Sequence, residues 1–312
     1  MNAIIDISLR FKLCILNKKV IVGKFVLFFI IIIISFFYSC EIINPPEQIP
    51  SYVSVDTVAI SISKPSQGTA AHNISDCWLY VNNKLIGIFE VPFTVPVLEA
   101  GLQNIQIEPG IKNSGGNAAR EIYQMMNGYY LDTVLEEKKV LKLNPVFEYR
   151  AAVNFALVED FEDVGIEFQV SDQSDTLIYL ISDENAFEGK SMYFCVDKER
   201  PNFECRSSQL FEIEKNGSAF LEINFKTNDY FNFGIFSKEY TGAVVTEIRK
   251  HVYTFNPTDN WKKIYIDLNY FVNNVVGTEF RLFFTAVYAE DSGLEKSDVY
   301  IDNVKLIYLP TQ

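Results

Sequence analysis

A period of two between apolar residues is the feature that most constrains what this chain can fold into. The alternation is clearest in two segments, formed by Leu221, Ile223 and Phe225 and by Phe280, Leu282, Phe284 and Ala286. Such spacing places the apolar side chains on one face of a strand, so both segments are predicted to be half-buried strands. Between two further apolar runs, Asn82 and Asn83 are typical of a tight hairpin turn. We therefore expect an all-β fold.

The amino-acid composition argues against several classes of function. The 26 Phe and 17 Tyr residues suit pleated surfaces, and with only 2 His residues a histidine-based reaction centre is not expected. A formal net charge of −13 argues against nucleic acid as a partner, because phosphate recognition needs a basic face. The sequence also has no glycine-rich phosphate loop and no alternation of strands with helices. We expect a protein that is not an enzyme.

The N-terminus has the order of a secretory signal. Basic residues precede an uncharged run, 25–39, which ends at Cys40 and is shorter than the roughly 20 residues needed to cross a bilayer. A permanent single-span anchor is the alternative. The stretch Phe37-Tyr38-Ser39-Cys40 resembles a bacterial lipobox, which implies acylation of Cys40, a membrane partner through the lipid anchor, and an outer-membrane lipoprotein of the cell envelope, facing the periplasm or the surface. Otherwise Cys40 is an ordinary buried or signal-peptide cysteine.

The chain is predicted to have four parts. Residues 1–39 form the signal peptide, and residues 40–51 form a proline-rich tether, since Pro45, Pro46 and Pro50 exclude a helix or a central strand. Residues 52–149 form a small β-sandwich. After Asn144-Pro145 the strands become longer and more aromatic, and residues 150–312 form a second β-sandwich of the jelly-roll type.

Each folded part resembles a known class of domain. The segments 78–87, 92–97 and 101–107 resemble a PEGA-type surface domain, which implies the first sandwich. The segments 159–162, 188–192, 260–266 and 299–304 resemble a galactose-binding-like jelly roll, the fold of many carbohydrate-binding modules. The whole layout resembles two-domain lipoproteins of the Bacteroidota. These resemblances imply a glycan or an envelope protein as the partner.

A change of phase in the last strand points to a bulge. Val299 and Ile301 share one face, whereas Val304 and Leu306 share positions out of step by one, so the slip falls at Asp302-Asn303. A bulge can turn Asp302 inward, where a carboxylate needs a partner.

The Asp302 carboxylate has two candidate partners. The resemblance implies a structural Ca²⁺ held by Glu162 and Asp302, with Asp160 as a weaker third ligand. Alternatively, Asp302 accepts backbone hydrogen bonds or pairs with a lysine.

Two further features each fit either a functional or a structural role. Trp261 is a candidate ligand-binding platform for a sugar ring, but its place before a strand also suits the core; Trp78 is expected in the core of the first sandwich. Cys195 and Cys205 are either bridged or two free thiols.

We expect a non-catalytic binding or structural protein at the cell surface, with accessory glycan binding through the jelly roll as the alternative. An aromatic strip beside a polar groove favours a glycan, and a broad apolar patch favours a protein partner.

Overall fold

The computed structural model describes residues 27–30, 32–33, 47–116, 119–242 and 244–311. The chain divides into two compact units, residues 1–49 and residues 50–312. In the first unit, residues 27–30 and 32–33 are helical. Within the described part of the chain, no helix combines the length and the apolar character needed to cross a membrane. The predicted acylation site Cys40, most of the predicted signal peptide and most of the tether lie outside the described residues.

Short strands build the first β-domain. They are β1 (Ser51–Val55), β2 (Ala59–Ser61), β3 (Asp76–Val81), β4 (Lys84–Glu90), β5 (Phe93–Val97), β6 (Gly101–Lys112), β7 (Arg120–Ile122), β8 (Tyr129–Leu135), β9 (Val140–Leu143) and β10 (Val146–Glu148). The sheets run in the orders β5-β1-β9, β10-β2 and β4-β3-β6-β7, with β8 also on β6. The hairpin between β3 and β4 is confirmed, because Asn82 and Asn83 have φ values of 49° and 62°.

The core of this domain is completed by the second one. Cys77 and Leu79 of β3 are fully buried, whereas Trp78 between them lies on the opposite, partly exposed face. The expectation of a core position for Trp78 is therefore wrong, since successive side chains of a strand point to opposite faces. Phe220 and Ile307 of the jelly roll belong to the same buried cluster as Cys77 and Leu79, so the two domains share one apolar core region.

The second domain is a two-sheet jelly roll. Its strands are β11 (Asn154–Glu159), β12 (Phe168–Val170), β13 (Tyr179–Ile181), β14 (Ser191–Asp197), β15 (Asn202–Ser207), β16 (Phe211–Glu212), β17 (Ser218–Thr227), β18 (Phe231–Thr241), β19 (Val244–Phe255), β20 (Thr258–Asp267), β21 (Glu279–Val287) and β22 (Lys296–Leu309), with a short helix at Asn269–Asn273. The first jelly-roll sheet has the order β13-β14-β22-β17-β20, with β11 also on β22; the second has the order β12-β15-β21-β18-β19, with β16 also on β21. The predicted all-β class is confirmed.

Aromatic rings fill the space between the two jelly-roll sheets. Phe194 of the first sheet stacks on Phe203 of the second, with ring centroids 3.6 Å apart. Phe231 and Phe255 are parallel, with centroids 4.1 Å apart. The high phenylalanine content is thus used largely in one core, where flat rings bury large apolar areas.

The predicted bulge in the last strand is also confirmed. Val299, Ile301, Val304 and Leu306 all lie in the jelly-roll core. The pairing of β17 with β22 shifts between Glu222 and Asn224. Asn303 takes up the extra residue with a φ of 47°, a conformation that asparagine tolerates better than most residues.

A buried polar cluster joins the two domains. The carboxylate of Glu222 in β17 is fully buried and accepts hydrogen bonds from the hydroxyls of Tyr123 and Tyr149, at 2.6 and 2.9 Å. Lys263 of β20 lies 3.0 Å from the other carboxylate oxygen. Burial by itself raises the pKa of Glu222, but the charges of Lys263 and Lys305 and the hydrogen bond from Tyr123 outweigh it and lower the pKa. The carboxylate is therefore held ionised between the domains.

Candidate functional site

The outer face of the first jelly-roll sheet is divided between two environments. One half packs on the first β-domain through Phe220, Glu222 and Ile307. The other half is open and carries Tyr193 of β14 and Tyr300 of β22, whose neighbours in sequence face the core. The same alternation that buries the apolar residues thus turns these two tyrosines outward.

Four aromatic side chains cross this open half in a row, which we call the aromatic strip: Tyr179, Tyr193, Tyr300 and Trp261. Tyr179 pairs with Tyr193 across β13 and β14, and Tyr193 pairs with Tyr300 across β14 and β22. Their ring centroids are 6.2 and 5.0 Å apart, and the rings of Tyr193 and Tyr300 are stacked. Trp261 meets Tyr300 edge to face at 6.4 Å. The strip is a continuous aromatic surface that spans the sheet.

Lys226 of β17 lies between the rings of Tyr300 and Trp261. Its ammonium lies 4.6 Å from the ring centroid of Tyr300 and 6.0 Å from that of Trp261, a cation–π geometry. It also donates a hydrogen bond to Oδ1 of Asn185 at 3.1 Å. The backbone carbonyl of Asn185 accepts one from Nε1 of Trp261, also at 3.1 Å. These contacts fix the Asn185 loop and the indole ring in one arrangement.

A polar groove of about 450 Å³ adjoins the strip. It is lined by Asn185, Lys226, Thr227, Asn228, Pro257, Thr258, Asp259, Asp298 and Tyr300. Amide, hydroxyl, ammonium and carboxylate groups therefore stand beside the exposed rings. This combination suits a ligand that has both apolar faces and hydroxyl groups, because the rings take the faces and the groove takes the hydroxyls.

Tyr193, Tyr300 and Lys296 beside the groove each keep one protonation state near neutral pH. Asp298 accepts a hydrogen bond from the Tyr193 hydroxyl at 2.6 Å and lies 2.8 Å from the Lys296 ammonium. Burial and this hydrogen bond raise the pKa of Tyr193. The hydrogen bond to Asp298 raises the pKa of Lys296, and burial raises that of Tyr300, with Asp298 adding to it. Both tyrosines stay neutral and Lys296 stays protonated.

The predicted calcium ligands are not assembled into one group. Asp302 is buried and accepts hydrogen bonds from Oγ of Ser191 and from the backbone N–H of Asn303, each at 2.6 Å. Burial raises the pKa of Asp302 to about 7. Glu162 accepts a hydrogen bond from the backbone of Lys190, and Asp160 accepts one from the backbone N–H of Glu162 at 3.3 Å. In the described ranges, no three His, Cys, Asp or Glu side chains form a group able to hold a metal. The calcium site stays a prediction.

The remaining predicted residues are placed as follows. Trp261 is part of the strip, on the open face and not in the core. Cys195 and Cys205 are free, buried thiols in β14 and β15, which belong to different sheets. Sequence reasoning missed Tyr179, Tyr193 and Tyr300. Their signal was present, because each is flanked on both sides by residues of the apolar phase.

Comparison with known proteins finds only remote similarity. No protein-family model and no curated protein sequence matches the chain. Among solved structures, it is similar to a xylan-binding domain from family 22 of the carbohydrate-binding modules of Paenibacillus barcinonensis, with 11% identity, a TM-score of 0.36, and coverage of 52% of this chain and 98% of that one. It is similar to the family 11 carbohydrate-binding module of a cellulosomal cellulase from Clostridium thermocellum, with 15% identity, a TM-score of 0.34, and coverage of 50% and 95%. These values are too low to assign function, which depends on the side chains of this chain.

Proposed function

We propose that this chain is a non-catalytic, accessory glycan-binding protein whose jelly roll holds carbohydrate on the aromatic strip. The observation that carries the proposal is the row of Tyr179, Tyr193, Tyr300 and Trp261 beside a polar groove. A sugar ring has an apolar face that stacks on an aromatic ring and an edge of hydroxyls that needs hydrogen-bonding partners. The strip and the groove offer both on one surface.

The geometry of the strip favours binding over catalysis. Asp298, which lines the groove, already accepts a hydrogen bond from the Tyr193 hydroxyl and is paired with Lys296, so it is a fixed hydrogen-bond acceptor beside the rings. Rings fixed in advance by Lys226 and Asn185 lose little conformational entropy when a ligand binds. Such a surface retains a glycan without needing to change shape.

A second candidate is a protein partner at the first β-domain. The outer face of its β4-β3-β6-β8 surface exposes Leu102 and Val134, which face each other across β6 and β8 and are 74% and 58% exposed. Leu85 and Ile88 are also exposed, at the other side of that sheet. This spread of apolar side chains suits an envelope protein better than a sugar.

We infer the location from the sequence. A basic leader followed by Cys40 supports a lipid anchor, which would tether the jelly roll to the outer membrane through the proline-rich segment 40–51. Incorporation of a radiolabelled fatty acid by cells that express the full chain tests this inference. The wild-type chain is expected to carry the label and the Cys40→Ala variant to lack it. An unlabelled wild-type chain, or equal labelling of the two, would contradict the anchor.

Affinity electrophoresis tests the function itself. The protein is run in native gels that contain hydroxyethylcellulose, xylan or galactomannan, three neutral polysaccharides of different backbone. We expect retardation by at least one of them, lost in the Tyr300→Ala variant. Tyr130→Ala is the matched control, since Tyr130 is 60% exposed on the first β-domain. Unchanged mobility of the wild type in all gels, or equal loss in both variants, would overturn the proposal.

A further inference from the structure

The direction of the strip relative to the strands restricts how a ligand can lie on it. The pairs Tyr179–Tyr193 and Tyr193–Tyr300 are cross-strand neighbours, and Lys226 pairs with Tyr300 on the next strand. The row therefore runs across β13, β14, β22 and β17 to Trp261 on β20. Four strand spacings give it a length of about 19 Å. A ligand that covers every ring must be extended and must run across the strands.

Both ends of the row reach an edge of the sheet. β13 and β20 are the outermost strands in the order β13-β14-β22-β17-β20, and Tyr179 at the β13 end is 43% exposed. The loop between β13 and β14 flanks the strip, since Asn185 contacts Lys226 and Trp261, and the rings of Phe187 and Trp261 pack with their centroids 5.4 Å apart. An extended ligand can thus pass over one edge and leave over the other, whereas recognition of a chain terminus needs a closed end.

The charges beside the strip restrict the ligand further. Asp259 and Asp298 line the groove, and the charge of the Asp183 carboxylate contributes to the raised pKa of the Tyr300 hydroxyl. Of the cations that the structure describes there, Lys296 is paired with Asp298, and Lys226 lines the groove while its ammonium contacts the Tyr300 ring and Asn185. Carboxylates accept hydrogen bonds from hydroxyls and repel other anions, and the formal net charge of the chain is −13.

We propose that the strip binds an internal stretch of a neutral, linear glycan chain that runs across the strands and extends past both sheet edges. This inference rests on the proposed glycan-binding function. It adds the charge class of the ligand, its direction, and the absence of end recognition.

Charge selectivity is tested with pairs of polysaccharides that share a backbone. Hydroxyethylcellulose, xylan and galactomannan are each compared with their carboxymethyl derivatives by native affinity electrophoresis. We expect at least tenfold weaker retention by the carboxymethyl form at low salt, with a smaller difference at high salt because the repulsion is screened. Equal or tighter binding of the carboxymethyl form would overturn the neutral class while leaving glycan binding intact. No retention by any of the six would overturn the proposed function instead.

Binding of an internal stretch is tested with oligosaccharides of increasing length, titrated by calorimetry before and after borohydride reduction of their terminal sugar. The affinity is expected to rise until the chain spans the strip, and reduction of longer chains is expected to change it less than twofold. A loss of tenfold or more on reduction would mean that the protein recognises a chain end.

The Tyr179→Ala variant tests the reach to the β13 edge. We expect about three- to tenfold weaker binding of long oligosaccharides, which corresponds to the loss of one stacked ring, and no change for the shortest ligands that bind. Tyr270→Ala is the matched control, because Tyr270 is 71% exposed on the short helix outside the strip. Equal affinity of the two variants for long oligosaccharides would show that the chain does not pass over that edge.

Discussion

The Glu222→Leu substitution is expected to be among the most destabilising single changes in this protein. Leucine has a similar volume, so the cavity left behind is small and the effect is mainly electrostatic. The change removes the acceptor of the Tyr123 and Tyr149 hydroxyls and the counter-ion of Lys263. The side chain of Lys263 is only 3% exposed, so water cannot replace the lost carboxylate.

The magnitude follows from these contacts. Removing one member of a buried ion pair costs about 3–5 kcal/mol, because the other charge stays buried and unpaired. Two buried hydroxyls without an acceptor each add about 1–3 kcal/mol. Because Tyr123, Tyr149 and Lys263 act on one carboxylate, the contributions overlap, and we expect a total loss of about 4–6 kcal/mol. A whole domain is stable by only about 5–15 kcal/mol.

Urea titration of the wild type and the variant measures this loss, and thermal unfolding should show a decrease in Tm of roughly 10–20 °C. The double variant Glu222→Leu with Lys263→Met removes both charges and is expected to recover more than half of the lost stability. Trypsin cleavage after Arg150, which lies between β10 and β11, should become faster in the single variant. A loss below about 1 kcal/mol, or a double variant as unstable as the single one, would refute this account of the domain contact.

Three further predictions follow from individual residues. Burial lowers the pKa of Lys305 from 10.5 to about 8, so between these values only the unfolded state binds that proton and the free energy of unfolding rises with pH. Lys305→Met should abolish this rise in urea titrations at pH 8 and pH 10. An unchanged rise in the variant would contradict the prediction. Calcium chloride is expected to raise the Tm of the wild type but not that of Asp302→Asn, and equal melting with calcium and with chelator would exclude the predicted site. Gly234→Ala places a Cβ in steric conflict with the ring of Phe283, and should cost about 1–3 kcal/mol of stability in the same titrations. Wild-type stability of this variant would contradict the conflict.

Local sequence patterns were enough to predict the strands. The phase of Leu221, Ile223 and Phe225 identified the buried face of β17, and Asn82-Asn83 identified the hairpin. The slip at Asp302-Asn303 was likewise readable, because a bulge changes the phase within a single strand.

The candidate site was harder to predict because it depends on which strands become neighbours. Tyr193 and Tyr300 stack although they are far apart in sequence, and only the order of the sheet brings them together. Glu222 and Tyr123 meet because the two β-domains pack against each other, which local sequence patterns do not show. Trp261 could be named as a candidate in advance, but its exposure could not, since either face of β20 could have been the buried one.

The chain has 2 Trp residues, so the Trp78→Phe variant leaves Trp261 as the single tryptophan, whose emission can be excited apart from that of the tyrosines. Titration of this variant with the neutral polysaccharide that retards it in native gels tests most directly whether the strip is the binding surface. We predict a saturable change in Trp261 emission that gives the same affinity as calorimetry. Binding with full affinity and unchanged Trp261 emission would contradict the account and place the glycan on another surface.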